Sequence, residues 1–373
     1  MSFLIAYLVV AFSCIIITVR TLIAYTACSA LTQTLVYGIF IFAWLSPILI
    51  WKLQTNVFLP LWLYSIFAKL GYFMLGFAFL LLFTIILRDI IWTASYYLSG
   101  KNIVSPLNHQ ALRTANIITF SAAFIICLYS VYAAEKLPAI LHYQYHDSRI
   151  QKPLKVLLIS DLHITKMTPV SKVQSWVKYF NAQKPDIILM PGDIADDAVR
   201  DIKKQIRELK KLKAPLGIYY TLGNHETYFD AIAWEAEFAG LGWQVLHNSG
   251  TSVADTGLYI AGLPDTGAFA VNVTQAVRNA QSHEYRIMLS HIPTTFNLIK
   301  PHQVDLQVSG HTHGGQIFPF NWLTKWGNKG YVFGEYTSST AKMLISRGVG
   351  YWGPPMRLMA PSDAMLIELL PEA

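Results

Sequence analysis

Apolar positions along the chain follow two regimes. Up to residue 134 they come in long unbroken runs, and beyond residue 153 they come in short runs of a few residues separated by polar stretches. Four of the early runs approach the roughly 20 helical residues needed to cross a bilayer: Phe3–Val19, Leu31–Trp51, Leu70–Leu87 and Ile117–Ala134. None carries a polar stripe at helical spacing, so a buried soluble bundle is not expected. The first run has no positive n-region and no clear small-residue cleavage site, and it reads as a span rather than a signal peptide. Val57–Ala68 is apolar and aromatic around Pro60, and is expected to lie at the membrane interface or to extend the third span.

Residues 135–153 are polar, contain Pro138 and Pro153, and read as a linker. After it, β-branched and aliphatic runs alternate with helical stretches: Val156–Ile159, Ile187–Met190, Ile218–Leu222, Leu258–Ala261, Arg286–Leu289, Leu306–Val308, Lys342–Ile345 and Met365–Leu369. Such spacing predicts buried strands in a layered α/β or α+β domain. The expected organisation is a transmembrane helical domain of about four spans over 1–134, a linker over 135–153 and a catalytic domain over 154–373.

Charge sharpens this division. Lys and Arg number 29 and Asp and Glu 22, for a net charge of +7. Only Arg20, Lys52, Lys69, Arg88, Asp89, Lys101 and Arg113 fall within 1–134, so the basic excess sits beside the membrane, where it suits anionic headgroups. Lys52, Lys69, Lys136, Arg149 and Lys152 on one side of the spans balance Arg20, Arg88, Lys101 and Arg113 on the other, and the positive-inside rule does not choose an orientation. Lys203, Lys204, Lys210, Lys211 and Lys213 are interleaved with Glu208 and read as a solvated helix face, so no nucleic-acid partner is expected. Cys14, Cys28 and Cys127 all lie in the apolar third and imply no disulfide framework. The spans carry charge only near their ends, which argues against an ion path.

The candidate chemistry falls at the ends of the strand-like runs. Asp161 and His163 follow KVLLIS, Asp193 follows DIILMPG, Asn224 and His225 follow GIYYTLG, His291 follows RIMLS, and His311 and His313 follow DLQVSG. Strand C-termini of layered α/β sheets converge on one crevice. Asp161 with His163, and His311 with His313, are two residues apart, and in extended backbone such residues point to one side, so each pair is expected to aim at one dinuclear centre. Gly192, Gly223 and Gly310 precede ligand positions and permit close backbone approach. Carboxylate, amide and imidazole without thiolate suit Mn, Fe, Zn or a similar divalent metal. His109, His142, His146, His247, His283 and His302 are expected at the surface or in the linker.

Asp161-Leu162-His163, Gly192-Asp193, Gly223-Asn224-His225-Glu226, His291 and Gly310-His311-Thr312-His313, in that order, resemble the calcineurin-like metallophosphoesterase superfamily, with GHTHGGQ and the later SRGVG and RLMAP similar to its membrane-associated branch. The resemblance spans about residues 154–370. It implies an α+β four-layer fold, two central β-sheets flanked by helices. It also implies two divalent metal ions, Mn first with Fe, Zn or Mg as alternatives. One would be held by Asp161, His163, Asp193 and His313, the other by Asp193, Asn224, His291 and His311, with Asp193 bridging. His225 would stabilise the phosphoryl oxygen or protonate the leaving group, oriented by Asp196. Protein phosphatases of this superfamily carry Arg after the equivalent of Asp196, whereas this chain has Asp197, which disfavours a protein substrate.

A multi-span anchor beside such a site points to a membrane lipid or lipid-linked substrate, and the aromatic segment Ile317–Trp326 is expected either to dock at the membrane interface and accept acyl chains or to pack as a lid. The resemblance extends to UDP-2,3-diacylglucosamine hydrolases of lipid A synthesis and to membrane-bound phosphodiesterases. It therefore suggests a multi-pass inner-membrane pyrophosphatase with a cytosolic catalytic domain, releasing UMP and 2,3-diacylglucosamine 1-phosphate. The alternatives are an extracytoplasmic phospholipid phosphodiesterase or phosphatase, and a non-enzymatic membrane receptor or scaffold.

Overall fold

The computed structural model describes residues 2–23, 29–55 and 59–372, and the chain divides into two compact units. The first comprises Met1–Ala133 with Trp352–Met356, the second Ala134–Tyr351 with Arg357–Ala373. Residues 57 and 58 of the interfacial stretch, and Cys28, lie outside the described residues.

The first unit is built on α1 (Ser2–Ile23), α2 (Ala30–Thr55), α3 (Leu61–Leu98) and α4 (His109–Glu135). All four are long and apolar enough to cross a membrane. Small residues line their contacts: Ser46 of α2 donates to the Gly71 carbonyl of α3 (3.0 Å), and a Cβ on Gly71 would sit 2.8 Å from Ser46 Cβ. Phe77 of α3 meets Phe120 of α4 edge-on at 5.2 Å. Large apolar side chains such as Val9, Phe12, Ile90, Ile118 and Ile125 face outward. Small residues at the closest helix contacts, large ones such as Ile50, Leu80 and Leu81 buried between them, and further large apolar residues outside suit helices solvated by lipid. At 38 residues α3 is about 57 Å long, well beyond the hydrocarbon thickness. It takes in residues 61–68 and runs past the expected span end at Leu87, so Arg88 lies inside the helix. There Arg88 donates to Asn116 Oδ1 (2.6 Å), and Asn116 donates to the Thr21 carbonyl (2.9 Å), which joins α3, α4 and α1.

The second unit begins with β1 (Ala139–His146), β2 (Leu154–Leu158), α5 (Val170–Asn181), β3 (Ile187–Met190), α6 (Val199–Leu209), β4 (Ile218–Tyr220), α7 (Asn224–Phe229), α8 (Ala231–Gly240) and β5 (Gln244–Val245). It continues with β6 (Ser249–Val253), β7 (Leu258–Leu263), α9 (Val273–Ala276), β8 (Tyr285–Ser290), β9 (Leu306–Ser309), α10 (Phe320–Gly327), β10 (Gly334–Thr337), β11 (Lys342–Ile345) and β12 (Asp363–Leu370). One six-stranded sheet has the order β1-β12-β2-β3-β4-β5, the other β10-β11-β9-β8-β7-β6. β2, β3, β4 and β5 run parallel, as do β7, β8, β9 and β11. The stretch 135–153, expected to be a linker, contains β1, which pairs with β12 in parallel from Ala139↔Asp363 to His146↔Leu370.

Strand alternation builds the layers. On β2, Val156 and Leu158 pack between the sheets with Ile187, Leu189, Ile260, Ile287, Val308 and Ile367. Leu157 and Ile159 point the other way, onto Trp176 and Phe180 of α5 and Trp234 and Phe238 of α8. On the far face of the second sheet, Tyr259 and Met288 pack against Val273 and Ala276 of α9. The result is helices, sheet, sheet and helix, the four layers expected. Each aliphatic side chain so buried contributes about 1.5–3 kcal/mol over leaving it in water.

Candidate metal centre

The parallel strands β2, β3, β4, β8 and β9 each end in a loop that carries part of one cluster. His163 Nε2 lies 2.8 Å from His313 Nε2, and His313 Nε2 lies 3.3 Å from Asp161 Oδ1. Asp193 Oδ2 is 3.0 Å from His291 Nε2 and 3.9 Å from His163 Nε2. His311 Nδ1 is 3.0 Å from Asn224 Oδ1. Among the described residues, three groups of His and Asp side chains have ligand atoms close enough to hold an ion: Asp161, His163 and His313; His163, Asp193 and His225; and Asp193, His291 and His311. All seven candidate ligands are thus brought together, and Asp193 is shared between adjoining groups.

The route by which the pairs converge differs from the expectation. Asp161 and His163 lie beyond the end of β2, and His311 and His313 beyond β9. Asp161, His163, Asp193, His311 and His313 all adopt positive φ, between 47° and 72°. Left-handed backbone is sparsely populated by non-glycine residues and costs of order 1–3 kcal/mol at each position. Strand alternation is therefore not the device that aims the ligands. The loops hold them by backbone bonds instead: His163 N–H donates to the Asp193 carbonyl (3.1 Å), and His311 N–H donates to Asp161 Oδ1 (3.0 Å). His311 and His313 belong to different groups of the cluster. Gly192 has φ +95°, and any Cβ there would collide with the Gly223 backbone, so the β3 and β4 loops touch only because both residues are glycine.

Asp196 stands just outside the ligand groups and touches two of their histidines. Asp196 Oδ1 accepts from both His163 Nδ1 (2.9 Å) and His225 Nδ1 (2.7 Å). The sequence suggested only the second contact. His225 shows 20% of its side chain to solvent, whereas His163 and His291 show none. Asp197 turns away and accepts from Lys166 N–H (2.7 Å), holding the loop after β2.

Glu226 is the residue whose part the sequence reading did not assign. It is fully buried, and its two oxygens accept from the backbone N–H groups of Asp193 (3.0 Å), Ile194 (2.6 Å), Ala195 (3.0 Å) and Gly223 (2.9 Å). Burial, then the nearby Asp193 charge, pushes its pKa up to about 7. Its place in the GNHE motif was the available signal. Arg357, also buried, donates to His313 Nδ1 (3.1 Å) and to the Gly348 carbonyl (3.1 Å).

Electrostatics separate the cluster into donors and acceptors of charge. Burial opposes ionisation of Asp193, yet the surrounding imidazoles, His291 foremost, hold its carboxyl well below the usual range. Burial lowers His311 to about 4 and His313 to about 3, leaving neutral imidazoles. His225 goes the other way: burial lowers it, but Asp196 and Asp193 outweigh that and raise it. His291 Nδ1 lies 2.8 Å from the Pro191 carbonyl, which turns Nε2 toward Asp193 Oδ2, and that buried nitrogen makes no well-formed hydrogen bond. Burial lowers His291, but Asp193 outweighs it and raises it to about 9, so this 3.0 Å pair competes for positive charge, and a mixed carboxylate and imidazole set of this kind fits a divalent cation.

Known proteins agree with this geometry. A sequence model of the calcineurin-like phosphoesterase family matches residues 154–315. An uncharacterized metallophosphoesterase of Campylobacter jejuni is 31% identical over 66% of this chain and 68% of its own length. One from Helicobacter pylori is 32% identical over 63% of this chain, and the match spans 65% of that relative's length. A bovine transmembrane protein with a metallophosphoesterase domain is 29% identical over 59% of this chain and 53% of its own. With the ligand order, the two-sheet fold and these relatives in agreement, the chain belongs to the calcineurin-like metallophosphoesterase family.

Proposed function

We propose that the chain is a membrane-anchored hydrolase of phosphoric esters or pyrophosphates, working with two divalent metals on a substrate carried by a lipid. The observation that carries this reading is the run of three ligand groups linked through His163 and Asp193, with His225, which burial lowers but Asp196 and Asp193 raise, at its solvent-facing edge. Asp161, His163, Asp193 and His313 would hold one ion, and Asp193, Asn224, His291 and His311 the other. Two bound cations, Mn first, would neutralise phosphoryl oxygens and activate water.

The chain's own residues do the rest. Asp196 takes the Nδ1–H of His225, which fixes the ring and leaves its Nε2–H to meet the phosphoryl oxygen or the leaving oxygen. Asp196 takes the Nδ1–H of His163 as well, so one carboxylate sets the tautomer of a ligand and of the proton donor together. A receptor or scaffold has no use for that second ring, and this favours the enzyme.

UDP-2,3-diacylglucosamine is the substrate to test first, because it joins a pyrophosphate to a lipid. Purified protein with Mn should release UMP from it. Failure there, with an aryl phosphodiester still cleaved, removes that substrate and keeps the reaction class. His225→Ala should retain metal and lose about 10²–10⁴ in turnover, the usual worth of a positioned proton donor. Full activity in that variant refutes the assigned role. A reporter fused after β12 should read as cytosolic. An outward reading excludes a UDP-linked substrate and favours an extracytoplasmic phospholipid phosphodiesterase.

A further inference from the structure

α10 is amphipathic in the wrong sense for a water-facing helix. None of its residues is buried. Within 320–327 only Asn321 and Thr324 are partly covered, at i and i+3 on one helical face, and the half-covered Asn328 caps the helix end. That protein-facing stripe is entirely polar. The opposite arc carries Trp322 (61% exposed), Leu323 (59%) and Trp326 (84%), with Phe320 exposed beside them. On a helix turning about 100° per residue, Trp322, Trp326 and Leu323 span about 100° of the surface. The neighbouring segment, bridged through Ile317 and Leu358, exposes Met359 as well. Lys325 and Lys329 are exposed next to the aromatic arc. A helix in water buries such an arc against its own protein, and contiguous exposed apolar surface marks an interaction site.

The helix is firmly seated all the same. It follows His313 within the same loop, and Gly315 lies so close to the Asn321 backbone that a Cβ would collide with it. Phe320 N–H donates to the Ile317 carbonyl (2.8 Å), and Phe318 N–H to the Leu358 carbonyl (3.1 Å). The segment is therefore no packed lid over the core, and the side chains it offers outward are held in place. Tryptophan with lysine is the composition of the headgroup layer, where indoles sit at the boundary and ammonium groups meet lipid phosphates. The same chain carries four membrane-length helices, so a bilayer is its permanent neighbour.

We propose that α10 is an interfacial membrane anchor, its Trp322, Leu323 and Trp326 entering the headgroup–acyl boundary of an anionic bilayer while Lys325 and Lys329 contact lipid phosphates. This sets the His311–His313 loop at the depth where lipid phosphoesters lie. It rests on the lipid-borne substrate reading for its catalytic consequence, but not for the binding itself.

The test uses the full chain in detergent, in phosphatidylcholine nanodiscs and in nanodiscs containing phosphatidylglycerol. Amide exchange of Phe320–Gly327 should slow by about tenfold or more in the anionic discs relative to detergent, the helix amides being shielded at the interface. Lys325→Glu/Lys329→Glu should lose the difference between the two disc types. Trp322→Ser/Trp326→Ser should lose the protection altogether and cut turnover of a vesicle-borne phosphodiester, with kcat on a water-soluble phosphodiester unchanged. Equal exchange in detergent and in anionic discs overturns the proposal, as does protection that appears only when a partner protein is added. Lipid turnover without protection refutes the anchor and keeps the substrate class. Protection with no lipid phosphoester cleaved keeps the anchor and refutes the substrate class.

Discussion

Glu226 illustrates how a residue shapes this site without being able to touch a metal. Its Oε1 accepts from Ile194 and Ala195, and its Oε2 from Asp193 and Gly223. Glu226→Gln turns one of those oxygens into a donor that faces two donors. Each buried N–H left unmatched costs about 1–3 kcal/mol, so the variant should lose about 2–6 kcal/mol in denaturant unfolding and bind metal more weakly. Unchanged stability would show that the loop does not depend on this carboxylate. The ligands themselves were readable from sequence, because Asp, His and Asn each follow an apolar run. The part played by Glu226 was not, since three of its four partners are backbone groups some thirty positions away. The left-handed backbone of Asp161, His163, Asp193, His311 and His313 was equally hidden, because Asp and His, though enriched at positive φ, still adopt negative φ at most positions.

Among the elements, those buried on both faces were legible and those half buried were not. β3 and β11 fall where the apolar runs ended. β1 reads as linker in the sequence because His142, Gln144 and His146 alternate with its apolar residues, and Pro138 precedes it. It is an edge strand, partly exposed along its length, which suits that composition. β6 and β10 are polar and lie at or near sheet edges for the same reason. The turn after β1 carries a small ionic cluster: Arg149 pairs with Asp147 (2.7 Å) and with Asp305 (2.9 Å) ahead of β9. The Arg149 hydrogen bond, partly offset by burial, holds Asp147 below its ordinary pKa. A carboxyl lowered in the folded state adds stability above its unfolded pKa of about 4, and that stability is lost as pH falls toward the folded value. Asp147→Asn should therefore lower stability near pH 6 and flatten its decline below about pH 4, followed by chemical denaturation across the acid range. An unaltered acid limb would exclude this pair as a contributor.

At the scale of the whole molecule, the chain joins two kinds of stability. The helical unit keeps a large apolar exterior around close small-residue contacts, and the catalytic unit buries two sheets against each other and against helices. Every candidate ligand belongs to the second unit. Metal bound only by the folded state stabilises it by about 2.7 kcal/mol at one hundred times its dissociation constant. Chelation should therefore lower the melting transition of the catalytic unit in calorimetry and leave the helical contribution to circular dichroism at the same temperature unmoved. A chelator that shifts neither would argue that the cluster binds no ion tightly. The four spans were legible because uninterrupted apolar runs have few other uses. The length of α3 was not, since Arg88 and Asp89 look like the end of a span yet find partners within the helix or on α4.

The strand order carries a consequence for synthesis. β1 and β2 are consecutive in the chain, but β12 lies between them in the sheet. As the protein leaves the ribosome, the helices of the first unit emerge first, and β1 follows with no neighbour to pair with. It stays without one until residues 363–370 are made, by which time every ligand loop has already been translated. The first sheet therefore closes from its last strand, so a nascent chain stalled before Asp363 should expose an unpaired sheet edge while already tethered to the bilayer.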